Sequence, residues 1–83
     1  MSKTWKWFVY IIKCKDGFYY TGVTWNLEKR LEQHSIGKGS KFTAKHGFEK
    51  LCYSEEFLDL LKARDREKQL KDFSRKKKEA LWS

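Results

Sequence analysis

Two runs of β-branched and aromatic residues, Trp7 to Cys14 (WFVYIIKC) and Phe18 to Val23 (FYYTGV), are separated only by Lys15-Asp16-Gly17, and no other feature limits the fold as much. Apolar residues occupy both parities of the first run, the pattern of a strand covered on both faces. Lys15-Asp16-Gly17 is turn chemistry, so residues 7–23 are expected to form a β-hairpin. Its register stays open between two turns. A three-residue loop with Gly17 left-handed sets Cys14 against Phe18 and Tyr10 against Gly22, and Tyr10 and Tyr20 then share a face. A two-residue Asp16-Gly17 turn slips the pairing by one and sends the two rings to opposite faces.

Asn26 is placed to cap a helix whose Leu27 and Leu31 repeat one turn apart and which runs through Gln33 and His34 to the loop Gly37-Lys38-Gly39-Ser40. Glu49 to Glu56 alternates weakly around Leu51 and Tyr53 and is expected to be a third strand. A second helix is expected from near Phe57 to about Lys71, with Leu60, Ala63, Glu67 and Leu70 on one face. Ser74 can cap a short last helix, with Leu81 and Trp82 packing back and Arg75 to Lys78 facing solvent. The expected class is α+β, a small antiparallel three-stranded sheet flanked by helices in the order ββαβαα, forming one domain over residues 1–83.

Nineteen Lys and Arg against eleven Asp and Glu leave a net charge of +8, the balance of a polyanion binder. Nucleic acid is the expected partner. No stretch approaches the ~18 consecutive apolar residues of a membrane span, and no secretory segment is evident, so no membrane role is expected. Cys14 and Cys52 each sit in an apolar run without CxxC spacing, and read as buried, reduced thiols of a cytoplasmic protein. The chain lacks a Gly-rich phosphate loop, an HExxH helix and a GxSxG elbow, the usual marks of nucleotide hydrolysis, zinc proteolysis and esterase chemistry.

Glu67 is the most informative single residue, because it stands in an apolar stripe where the helical period calls for leucine or alanine. A lone buried carboxylate costs several kcal/mol unless a cation or hydrogen bonds compensate it. A plain pair with Arg64 or Lys71 would suffice. Arg30 and His34, four apart on the first helix, both reach the boundary of core and solvent. A guanidinium there can hold phosphate oxygens bidentately, or simply lie over the leucines. Lys13, Lys38, Lys41 and Lys45, together with Arg75 to Lys78, can track a phosphate backbone or serve only as a solvated face.

Taken in order, Phe8-Val9-Tyr10, Tyr20-Thr21-Gly22, the helix Leu27 to His34 carrying Arg30, the loop Gly37 to Thr43, and Ala63-Arg64-Asp65-Arg66-Glu67 followed by Lys71 resemble the GIY-YIG nuclease family over roughly Trp7 to Trp82. The resemblance is to small stand-alone members similar to the nuclease module of the excinuclease of excision repair. Phe8 departs from the family's glycine and Thr21 from its central isoleucine. The resemblance implies an endonuclease that hydrolyses DNA phosphodiesters with a single Mg²⁺ or Mn²⁺ on Glu67, the scissile phosphate on Arg30, and Tyr10 taking the proton of the attacking water. Tyr20 and His34 are then expected to orient or relay, and Lys71 joins the lysines that meet nucleic acid. Such a base needs its anion favoured by ~3 units against a free tyrosine, for which Arg30, Lys13 and the metal are the expected sources. The rival is a binding module of the same fold that does not cut. Substrate choice is left to a possible partner protein.

Overall fold

Gly17 adopts φ +92°, the left-handed conformation that only glycine enters without strain, and the hairpin closes around it. Cys14 N–H donates to the Phe18 carbonyl at 2.7 Å and Gly17 N–H to the Cys14 carbonyl at 3.0 Å, so the three-residue loop is the one that forms. The register follows from that turn. In the computed structural model, which describes residues 6–83, β1 (Trp7–Lys13) pairs antiparallel with β2 (Tyr19–Thr24), Tyr10 opposite Gly22 and Ile12 opposite Tyr20. Residues 1–5 of the expected unit lie outside the described residues.

The remaining elements are α1 (Leu27–Ser35), α2 (Lys41–His46), β3 (Lys50–Phe57), α3 (Leu60–Lys71) and α4 (Arg75–Glu79). Strand β3 adds antiparallel to the far side of β1, giving the sheet order β2-β1-β3. The first strand is therefore the central one. That explains its lack of alternation, since Val9, Ile11 and Ile12 are wholly buried and Tyr10 is nearly so. The β1–β3 register shifts between Ile11 and Ile12, where Tyr53 and Leu51 are the successive partners and Cys52 is the extra residue of a bulge. Both cysteines are free thiols, but only Cys14 is fully buried, and the expectation of burial fails for Cys52.

The two faces of the sheet have different work. Val9 and Ile11 pack with Ala63 and Leu70 of α3, and Tyr19, Tyr53, Phe57, Phe73, Leu81 and Trp82 close around them. Each fully buried aliphatic side chain in such a cluster contributes roughly 1.5–3 kcal/mol. Asp59 caps α3 by accepting from Leu61 N–H, and Ser74 caps α4 by accepting from Lys77 N–H. The opposite face carries Tyr10, Ile12, Tyr20 and Gly22, and over it lie α1 and α2.

Helix α2 adds an element to the expected order. Residues 41–43 read as a continuation of the loop, yet Ser40 accepts from Thr43 N–H and starts a six-residue helix. Six residues are too few to display an apolar period, so the cap was its only mark in the sequence. Upstream, α1 ends in a Schellman turn at Gly37 (φ +79°), with Gly37 N–H bonded to the His34 carbonyl and Lys38 N–H to the Gln33 carbonyl. Asn26 caps its start, accepting from Lys29 N–H at 3.1 Å. No helix among the described residues is long and apolar enough to cross a membrane.

Candidate active site

On the α1 side of the sheet, Tyr10 Oη lies 2.8 Å from His34 Nε2, and His34 Nδ1 lies 2.7 Å from Thr43 Oγ1. His34 and Thr43 are each 1% exposed and Tyr10 is 2% exposed, so the chain of hydrogen bonds is sealed from water. Burial, with Arg30 adding to it, lowers the His34 pKa to about 4. The ring is therefore neutral at pH 7 and carries one N–H. Thr43 Oγ1 is 2.9 Å from Ser40 Oγ and 3.3 Å from the Ser40 carbonyl; when it donates to either, Thr43 accepts from His34 Nδ1–H and His34 Nε2 accepts from Tyr10 O–H.

Gly39 makes room for this histidine. A Cβ on Gly39 would overlap the His34 ring, 2.6 Å from its Cγ. The same loop residue anchors Arg30, whose Nη1 donates to the Gly39 carbonyl at 3.1 Å, leaving four of the guanidinium's five N–H groups for other acceptors. Tyr20 completes the cluster: its ring centroid is 6.4 Å from Tyr10 and 5.3 Å from His34, and it stacks on Phe42 of α2 at 5.7 Å. Tyr10 and Tyr20 thus share the face that the three-residue turn requires.

Burial raises the Tyr10 phenol above its ordinary value; Tyr20 adds to the rise, Arg30 opposes it and Glu67 reinforces it. Arg30 on α1 and Glu67 on α3 thus both bear on this hydroxyl electrostatically, Glu67 the less. From the protein groups alone, without the metal, the surroundings of Tyr10 do not favour its anion, because desolvation outweighs the arginine. Lys13 gives no help either. It stands opposite Tyr19 in the hairpin, on the α3 face rather than the Tyr10 face, and its ammonium is 4.0 Å from Glu49.

Glu67 sits at the margin of the α3 stripe, its side chain 21% exposed, and meets Lys71 at 3.2 Å in an i,i+4 pair. The compensating cation expected for this carboxylate is therefore Lys71, with Arg64 elsewhere on the exposed face. Among the described residues no group of three or more His, Cys, Asp or Glu converges to hold a metal ion. A single carboxylate still fits Mg²⁺ or Mn²⁺, hard cations that keep several waters and take further oxygens from a phosphate. The lysines Lys38, Lys41 and Lys45 are exposed on the loop and helix that follow α1, and Lys71 is exposed beside Glu67. Phe42 and Thr43, which seat Tyr20 and His34, belong to the helix that the sequence did not reveal, and Ser40 is its cap.

The model of the GIY-YIG catalytic domain matches residues 6–80. The chain belongs to the GIY-YIG family. This GIY-YIG protein is 45% identical to a UPF0213 protein of Staphylococcus haemolyticus over 88% of this chain and 89% of that one. It is 44% identical to a UPF0213 protein of Staphylococcus saprophyticus over 94% and 95% of the two chains. A solution NMR structure of a UPF0213 protein from Bacillus halodurans superposes with a TM-score of 0.57 at 40% identity, covering 92% of this chain and 81% of that one. The departure from the family's pattern at Thr21 has a structural trace: its Oγ1 is the buried side-chain oxygen among the described residues that lacks a hydrogen-bond partner.

The depressed pKa of His34 makes the stability of the fold depend on pH. Its folded value of about 4 lies below the ordinary 6.5, so the folded state resists protonation and the unfolded chain takes up the proton first. The stability held in the neutral ring is fully present above pH 6.5 and is lost as pH falls toward 4, a change of roughly 3 kcal/mol. Melting temperatures of the parent are expected to fall over that interval more steeply than those of His34→Gln. Parallel curves for the two proteins would mean that His34 is not buried as a neutral ring.

Proposed function

We propose that this protein is a metal-dependent endonuclease hydrolysing DNA phosphodiesters. The observation that carries the reading is convergence: the phenol of Tyr10 is hydrogen-bonded to His34 while feeling the charges of Arg30 and Glu67. Hydrogen bonds and close packing bring Tyr10, His34 and Arg30 together around Gly39, and the Glu67 carboxylate bears on the same phenol from α3, a combination that packing alone gives no reason to assemble.

In this reading Arg30 holds the scissile phosphate, its free N–H groups stabilising charge that grows on the phosphate oxygens. Tyr10 accepts a proton from the attacking water as its own proton passes to Nε2 of His34. No standing tyrosinate is needed. The neutral His34 ring offers Nε2 to that proton, and the negative phosphate on Arg30 must offset the burial that lowers the ring's pKa to about 4. A Mg²⁺ or Mn²⁺ ion held by Glu67 would neutralise charge on the phosphate as a Lewis acid. Opening the Glu67–Lys71 pair to admit it costs little, since Lys71 is more than half exposed and i,i+4 helix pairs contribute about 0.3–0.5 kcal/mol. Tyr20 and Phe42 hold the Tyr10 ring in place, and Lys38, Lys41, Lys45 and Lys71 meet neighbouring phosphates.

One observation favours the second reading, a module that binds nucleic acid without cutting: Glu67 already has its cation in Lys71. Incubation with single-stranded, duplex and branched DNA and with RNA, with and without Mg²⁺ or Mn²⁺, separates the two. Cation-dependent cutting of DNA is the expected result. Binding with no cleavage in any cation would establish the non-cutting module instead.

A further inference from the structure

Between β2 and α1 the chain turns a corner at Trp25, and the two sides of that corner differ in chemistry. One is a mainly apolar groove of about 480 Å³ formed by Phe8, Leu27 and Leu31, with Glu28 as its one acidic residue. The other is a polar groove of about 230 Å³ that contains Lys29, Arg30 and Gln33. Trp25 and Asn26 line both. The indole is 52% exposed, and its backbone is fixed, because Thr24 Oγ1 accepts from Asn26 N–H at 3.2 Å and Asn26 caps α1.

We propose that this corner is a slot for an unpaired nucleobase adjacent to the phosphate held by Arg30; the proposal rests on the nuclease reading and narrows its substrate. A nucleotide has an apolar, flat base joined to an anionic phosphate, and the two grooves offer that same pairing of surfaces side by side. The larger groove lies within the roughly 300–1,000 Å³ of small-ligand sites. An apolar protein side chain would fill it but would leave Lys29 and Arg30 facing no anion. A base paired within a duplex is stacked on both faces and cannot reach the indole, whereas a bulged, flipped or single-stranded base can. The substrate class is therefore DNA with at least one unpaired base next to the cut phosphate.

Two duplexes identical except for one bulged position, thymidine in one and an abasic residue in the other, carry the same phosphates, so their charge-driven binding cancels in the comparison. Fluorescence anisotropy without divalent cation is expected to give about tenfold tighter binding to the bulged thymidine, the effect of one base on an aromatic platform. Trp25→Ala should erase the discrimination and Trp25→Phe should keep part of it, with melting temperatures read on each variant. Equal binding of the two duplexes by the parent overturns the slot, and so does full discrimination by Trp25→Ala. Cleavage of both duplexes by the parent in Mg²⁺ or Mn²⁺ is measured alongside. Cutting without base discrimination removes the slot alone, and failure to bind either duplex removes the slot together with the nuclease reading.

Discussion

Glu67→Ala is expected to slow cleavage by about three orders of magnitude, the factor that ~4 kcal/mol of transition-state stabilisation represents. Binding should stay intact or tighten slightly, because one negative charge leaves a surface that faces phosphates. Stability should barely move. Lys71, the partner left behind, is more than half exposed and returns to water, and pairs of this kind contribute less than about 1 kcal/mol. Cleavage and melting temperature measured on the same preparation decide the matter. A lower melting point with cutting near the parent rate would make Glu67 a structural ion-pair partner. Partial recovery in Glu67→Asp would tie the lost activity to a carboxylate at this place.

Gly22→Ala is expected to damage both the fold and the site. A Cβ there would lie 2.5 Å from Tyr10 Oη and 3.0 Å from Tyr20 Cε2, closer than such contacts are found. Neither ring moves freely, since Tyr10 is buried against His34 and Tyr20 is stacked on Phe42. Overpacking of this kind costs about 1–3 kcal/mol. In a domain of this size each kcal/mol lowers the melting temperature by roughly 4–8 °C. Relief of the clash displaces the phenol from Nε2 of His34, so cleavage measured well below the melting point should fall too. An alanine variant with unchanged melting and unchanged rate would show that the rings are not held as described.

The sequence made the hairpin, the third strand and helices α1, α3 and α4 legible because each carries its own signal: β-branched runs, a turn glycine, an apolar helical period, or a serine or asparagine cap. It could not choose between the two hairpin turns. That choice depended on whether Gly17 goes left-handed, and the shared face of Tyr10 and Tyr20 depended on it in turn. Whichever turn forms, alternation along β1 sends Lys13 to the face opposite Tyr10, a consequence available in the sequence but hidden by its nearness to Tyr10. The raised pKa of Tyr10 was not legible at all. It arises first from burial and then from Tyr20, and only packing encloses the ring and brings His34, 24 residues away, onto its hydroxyl. Glu67 was legible as an anomaly in a stripe, while its pairing with Lys71 rather than Arg64 was a matter of geometry.

Strand β1 has a partner on each edge and buried side chains on each face, and this divides the site by how readily its parts can open. Proteins open locally in units of very different free energy, and a segment enclosed on four sides exposes its amides only when the whole domain unfolds. Tyr10 rides on that segment. Arg30 and Glu67 ride on helices with one face in water, which can loosen by themselves. In the proposed reaction the proton-carrying group would thus be tied to the global stability of the molecule, while the groups that would grip and release a charged chain sit where adjustment is cheap.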